Sequence, residues 1–221
     1  MDSRPSPSVI AEGMNLAVRN AGRLLTDANT LIASGSFATA ASLAALSIEE
    51  SGKVALLRTV ALATEDKALK TAWKEYRSHK SKNFAWLLPD LVKSGATTLD
   101  ELYPLVDPES SHPTVLDQIK QAGFYTDLLT GNVWSYPSQA VTEELARSLV
   151  DRAASLLSTR SHTAREVELW VQHVGPTWRG SMDDMKTSVE SWHLAMVREG
   201  LATEAAPTMR DFLFGPSKSE G

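Results

Sequence analysis

The sequence predicts an all-α protein: three long N-terminal helices followed by a smaller C-terminal helical part. Three observations carry that prediction. Apolar residues recur at spacings of three and four along most of the chain. The second of these stretches is rich in alanine and leucine, both strong helix formers. Glycine and proline fall between the periodic stretches, where they stop helices. With 221 residues, 43% of them hydrophobic and 22% charged, the chain is long enough for one well-filled core or two small ones.

The polar segment 1–8, with Pro5 and Pro7, reads as a flexible N-terminus without an apolar targeting stretch. A first helix is expected over Ser8–Ser34, where Met14, Val18, Ala21, Leu25, Ala28 and Ile32 form one seam. Gly35 breaks it, and a second helix runs from Ser36 to about Ala63. Thr64, followed by Glu65 and Asp66, reads as the N-cap of a third, reaching Leu88 before Pro89. Residues 9–92 are thus the long-helix core.

Residues 93–137 read as a connecting segment with a short helix over Thr114–Ala122. Gly131 and Asn132, ahead of Val133 and Trp134, mark a hairpin or tight loop. Residues 138–200 hold the C-terminal helices: one from Ser138 to about Thr159, one over Ala164–Val174 ended by Gly175 and Pro176, and one over Ser181–Glu199 stopped by Gly200. Residues 201–221 read as a flexible tail, in which Phe212, Leu213 and Phe214 form the one apolar group able to tether it.

Composition excludes several functions. There is no cysteine, so disulfides, thiolate metal sites and a cysteine nucleophile are out, and a reducing cytoplasm is the expected compartment. A net charge of −5 argues against coating nucleic acid through bulk charge but permits a local basic patch. Glu49, Glu50, Lys53 and Arg58 interrupt the most apolar region, which argues against a membrane span. His112, His162, His173 and His193 form no metal-spaced pair, and no phosphate loop, nucleophile elbow or other cofactor signature is present.

The second helix carries polar residues where apolar ones are expected. Its seam of Leu43, Leu46, Leu57 and Val60 contains Glu50 and Lys53, three residues apart and able to interact. The third helix repeats the pattern: Leu69, Ala72, Tyr76, His79, Asn83 and Trp86 share one stripe. If the two helices are antiparallel neighbours, Glu50, Lys53, His79 and Asn83 meet in a polar cluster walled by Tyr76 and Trp86. The same pattern suits a network that fixes helix register, or a seam facing water. Lys67, Lys70, Lys74 and Arg77 form a basic ridge on the third helix, suited to a phosphate backbone or simply to solvent.

These residues carry a resemblance. The run from Ala11 to Lys53, ending Glu49-Glu50-Ser51-Gly52-Lys53, resembles the opening of the AbiV-type abortive infection family. Tyr76–Lys82, YRSHKSK, is similar to that family's second polar motif, and Lys120–Ala146 to its continuation. The likeness spans roughly Ala11–Leu157. It implies a bundle like those of the HEPN superfamily, helical domains of prokaryotic defence that are often dimeric and often metal-independent ribonucleases.

The implied function is anti-phage defence, acting on RNA or translation, as a homodimer that meets RNA or a phage-encoded protein. The implied site is His79 as proton carrier, with Lys53 or Lys82 offsetting charge, Glu50 orienting Lys53, and Asn83 nearby. No cofactor is implied. Related ribonucleases place an arginine four to six residues before the histidine. Here Arg77 is separated from His79 by one residue and Arg165 from His173 by seven, so a lysine or a second subunit has to supply that cation. A non-catalytic module that senses a phage protein or nucleotide, or restrains a toxin, is the alternative.

Overall fold

The computed structural model of the protein describes residues 4–105, 107, 109–204 and 206–216. Helix α1, Pro7–Ala33, begins after Ser6, whose hydroxyl accepts from the Val9 N–H, and Pro7 occupies the first helical turn. The predicted seam faces inward: Met14, Ala21, Leu25, Ala28 and Ile32 are buried, with Val18 half-buried. Gly35, at φ 77°, turns the chain back, and α2, Phe37–Leu62, packs along α1.

Helix α2 is the centre of the molecule. Beside α1 it contacts α6 (His112–Phe124) and α8 (Glu143–Leu156). Ala40, Ala41, Ser42, Ala44, Ala45 and Ser47 are all fully buried, so neighbours approach it closely. Ser42 Oγ donates to the Lys120 carbonyl at 2.8 Å and Ser47 Oγ to the Ala21 carbonyl at 2.8 Å, so the buried hydroxyls are satisfied. Nearer its C-terminus, Leu57 and Val60 pack with Leu69 and Ala72 of α3 (Asp66–Arg77) and with Val167 of α9 (Ala164–Val174).

The third helix differs from its predicted span. It ends at Arg77, because Ser78 is extended (φ −74°, ψ 127°) and starts a new single turn, α4, His79–Lys82. The chain then turns again before α5, Leu88–Lys93, where Pro89 opens a helix rather than closing one. Tertiary hydrogen bonds hold this path: Asn83 Nδ2 donates to the Pro113 carbonyl at 3.1 Å, and Trp86 Nε1 to the His112 carbonyl at 2.9 Å. The residues continue a helical period, but these bonds tie them to the start of α6.

Strands β1 (Asp127–Leu129) and β2 (Val133–Ser135) form an antiparallel hairpin, Leu128 opposite Trp134. Its turn uses Gly131 and Asn132 at φ 88° and 61°. After α7, Pro137–Ala140, helix α8 starts at Thr142, whose hydroxyl accepts from the Leu145 N–H, four residues later than expected. Helices α9 and α10 (Met182–Arg198) lie where predicted and build a core of Leu169, Val174, Trp192 and Met196 against Leu62. Beyond them α11, Met209–Phe214, buries Leu213, and the Phe212 carbonyl accepts from the Leu99 N–H at 2.8 Å. Among the described residues no helix is long and apolar enough to cross a membrane.

Candidate functional site

Three elements bring ionisable side chains to one point. Glu49 of α2 is 3% exposed. Its carboxylate accepts from Lys120 Nζ of α6 at 2.6 Å and lies 2.8 Å from His79 Nδ1 of α4. Lys82 Nζ, one turn beyond His79, is 3.6 Å away. Lys120 also bonds Asp117 at 2.7 Å and lies 3.3 Å from His79 Nδ1. The cluster is compact because α4 rides against α2 at Gly52, where a Cβ would collide with the Lys82 carbonyl.

Burial depresses the Lys120 pKa, but hydrogen bonds to Asp117 and Glu49 outweigh it and hold the ammonium above the usual lysine range. Glu49, His79 and Asp117 offer ligand atoms within 4.8 Å of one another. The Lys120 ammonium sits against all three, placing positive charge where a metal ion would lie. The shorter contact of His79 Nδ1 makes it the donor to Glu49, which leaves Nε2 for a ligand. The His79 side chain is 56% exposed, so that nitrogen is reachable.

The predicted residues divide among four places. His79 and Lys82 meet at Glu49. Glu50 and Lys53 instead pair with each other at 2.6 Å, half-buried, with Lys53 Nζ 5.6 Å from the Tyr76 ring centroid. Asn83 is buried at the α4 terminus and anchors α6, and Trp86 belongs to the apolar core. Lys67, Lys70, Lys74 and Arg77 are all exposed along α3, which leads directly into His79.

Sequence reasoning missed Glu49's role and Lys120. A signal for Lys120 existed: Leu116, Lys120 and Gly123, spaced four and three, are all buried, so the lysine breaks an apolar stripe as Glu50 and Lys53 do. A second buried network also escaped notice. Glu166 of α9 is 2% exposed and accepts from Arg58 and Arg160, each at 2.8 Å, and from His162 Nδ1 at 3.1 Å. Burial raises its pKa, but His162 and Arg58 more than offset this and hold it at about 2. The spacing Thr163–Glu166 reads as a capping box. Thr163 does accept from the Glu166 N–H at 3.1 Å, while the glutamate side chain turns inward.

The family model HEPN_AbiV, described as AbiV, matches residues 9–158. The chain belongs to the AbiV family. In this AbiV-family protein the match runs from α1 through α8 and takes in Glu49, His79, Lys82, Asp117 and Lys120; Arg160, His162 and Glu166 lie beyond its end. Membership supports an abortive-infection, HEPN-family role. No curated protein and no solved structure matches the chain.

Proposed function

We propose that this protein is an abortive-infection effector that cleaves RNA at His79 without a metal ion. The observation that carries the reading is the 2.8 Å contact of a half-exposed His79 with a buried Glu49, at the end of an exposed basic ridge. Glu49 fixes Nδ1 as the protonated nitrogen, and Nε2 takes the proton of a ribose 2′-hydroxyl. That oxygen attacks the adjacent phosphorus, the bond to the 5′-oxygen breaks, and the proton passes to the leaving oxygen, giving a 2′,3′-cyclic phosphate. Lys82 and Lys120, buried beside Glu49, lend positive field to the charge gathering on the phosphoryl oxygens without touching them. Lys67, Lys70, Lys74 and Arg77 hold the strand.

The Glu50–Lys53 pair, with Tyr76, supports the α2–α3 contact in this reading. A protein partner has a surface to meet: Leu128, Leu129, Val133, Trp134 and Tyr136, at and beside the hairpin, are about half exposed or more. A second copy of the chain is the occupant favoured here, and a phage-encoded protein the competitor.

The alternative is a non-catalytic binding module. It draws on the burial of Lys82 and Lys120, whose charges are already committed to Glu49 and Asp117. Incubation with total RNA separates the two readings. Wild-type protein is expected to yield cyclic-phosphate ends, and His79→Ala, checked by circular dichroism for retained helicity, to lose at least about a hundredfold in rate. If neither protein cuts RNA, and His79→Ala still protects cells from phage, the catalytic reading fails.

A further inference from the structure

A cavity of about 290 Å³ lies between α1, α2, the turn after α4 and the segment joining α8 to α9. It is separate from the Glu49 cluster, none of whose members lines it. Phe84 and Leu156 are among its apolar walls, and Ser51, Arg58, Arg160 and His162 supply polar groups. Three buried atoms of these residues have no hydrogen-bond partner among the described residues: Ser51 Oγ, Arg58 Nε and His162 Nε2. His162 as a whole is only 6% exposed. Buried polar atoms are nearly always paired; these three lie behind the cavity wall, where a rotation of the Ser51, Arg58 or His162 side chain brings them to a ligand.

Charge indicates the ligand. Glu166 stays ionised and accepts from Arg58, Arg160 and His162. One carboxylate facing two guanidinium groups leaves an excess positive charge. Arg58 Nε–H and the Ser51 hydroxyl are donors suited to an oxyanion, and arginine is the usual partner of phosphate. The volume is near the lower end for small-molecule sites, and the apolar walls suit one ring. Arg160, with its side chain 39% exposed, stands where a ligand enters.

We infer that this cavity binds a phosphomonoester of about mononucleotide size. The inference does not rest on RNA cleavage at His79. It places the ligand against Ser51 and Gly52 of α2 and Phe84 after α4, the two segments that carry Glu49 and His79.

Thermal unfolding of the full chain with AMP, GMP, ribose 5-phosphate, inorganic phosphate and adenosine tests it. A phosphomonoester at a hundredfold excess over its Kd is expected to raise Tm by about 5 °C, with adenosine inactive. Ala55→Phe fills the cavity from α2, one turn before Arg58, while keeping every charged side chain, and is expected to abolish the shift while retaining helicity. Arg160→Gln is expected to weaken binding roughly tenfold. Absence of a shift with every phosphomonoester overturns the inference, as does an equal shift in Ala55→Phe. A response to inorganic phosphate as large as that to the esters overturns the assignment to an ester.

Discussion

Lys120 shows how strongly one buried charge depends on its neighbours. Its side chain is 6% exposed and its ammonium is paired with two carboxylates, at 2.6 Å and 2.7 Å. Removing the ammonium leaves Glu49 facing only His79 and the more distant Lys82. Lys120→Met is therefore expected to cost about 3–5 kcal/mol, read as a fall in Tm on the order of 10 °C by calorimetry. A change within about 2 °C means the Glu49 carboxylate finds solvent, contrary to its burial. That Glu49 rather than Glu50 meets His79 is a residue-scale lesson too. One step along a helix turns a side chain by about 100°, and large residues gave the sequence its seam. On α2, however, Leu43 and Leu46 are only half-buried while Glu49 and the alanines are inside.

At the scale of elements, the contact between α2 and α4 rests on Gly52. Gly52→Ala puts a methyl group into the Lys82 carbonyl. It is expected to destabilise the protein by about 1–3 kcal/mol and to shift His79 away from Glu49. Hydrogen exchange should show α4 amides protected less while α1 stays protected. Uniform protection in the variant counts against the dependence. Helices bounded by local signals were legible: Gly35 separates α1 from α2, and Gly175 follows α9. The break at Ser78 was not, because the residues after it keep a helical spacing and the bonds that redirect them come from Pro113 and His112. Those carbonyls are some thirty residues away, beyond any local pattern. The Glu166 network was hidden for a similar reason, since Arg58 lies 108 residues from its partner.

For the whole molecule, Glu166 ties α2 and the α8–α9 segment to α9. Its pKa is lowered from 4.5 to about 2, so its stabilisation is complete above pH 4.5 and is lost as pH falls toward 2. Tm is expected to drop across that window, and Glu166→Gln to melt lower at pH 7 with a flatter acid dependence. Parallel curves for the two proteins assign acid sensitivity elsewhere. Assembly is a second property at this scale. If two copies meet through the hairpin, Trp134→Asp is expected to slow sedimentation from dimer to monomer without loss of helicity; a monomeric wild type removes that interface.

Because its central helix presents mostly methyl groups and hydroxyls to its neighbours, the bundle is closed by what its side chains leave out. Trimming has little to remove along Ala38–Ser47, whereas enlarging any one of those buried positions must prise two helices apart. Along this stretch the packing is thus vulnerable to bulk rather than to loss, the reverse of a contact filled with leucine and phenylalanine.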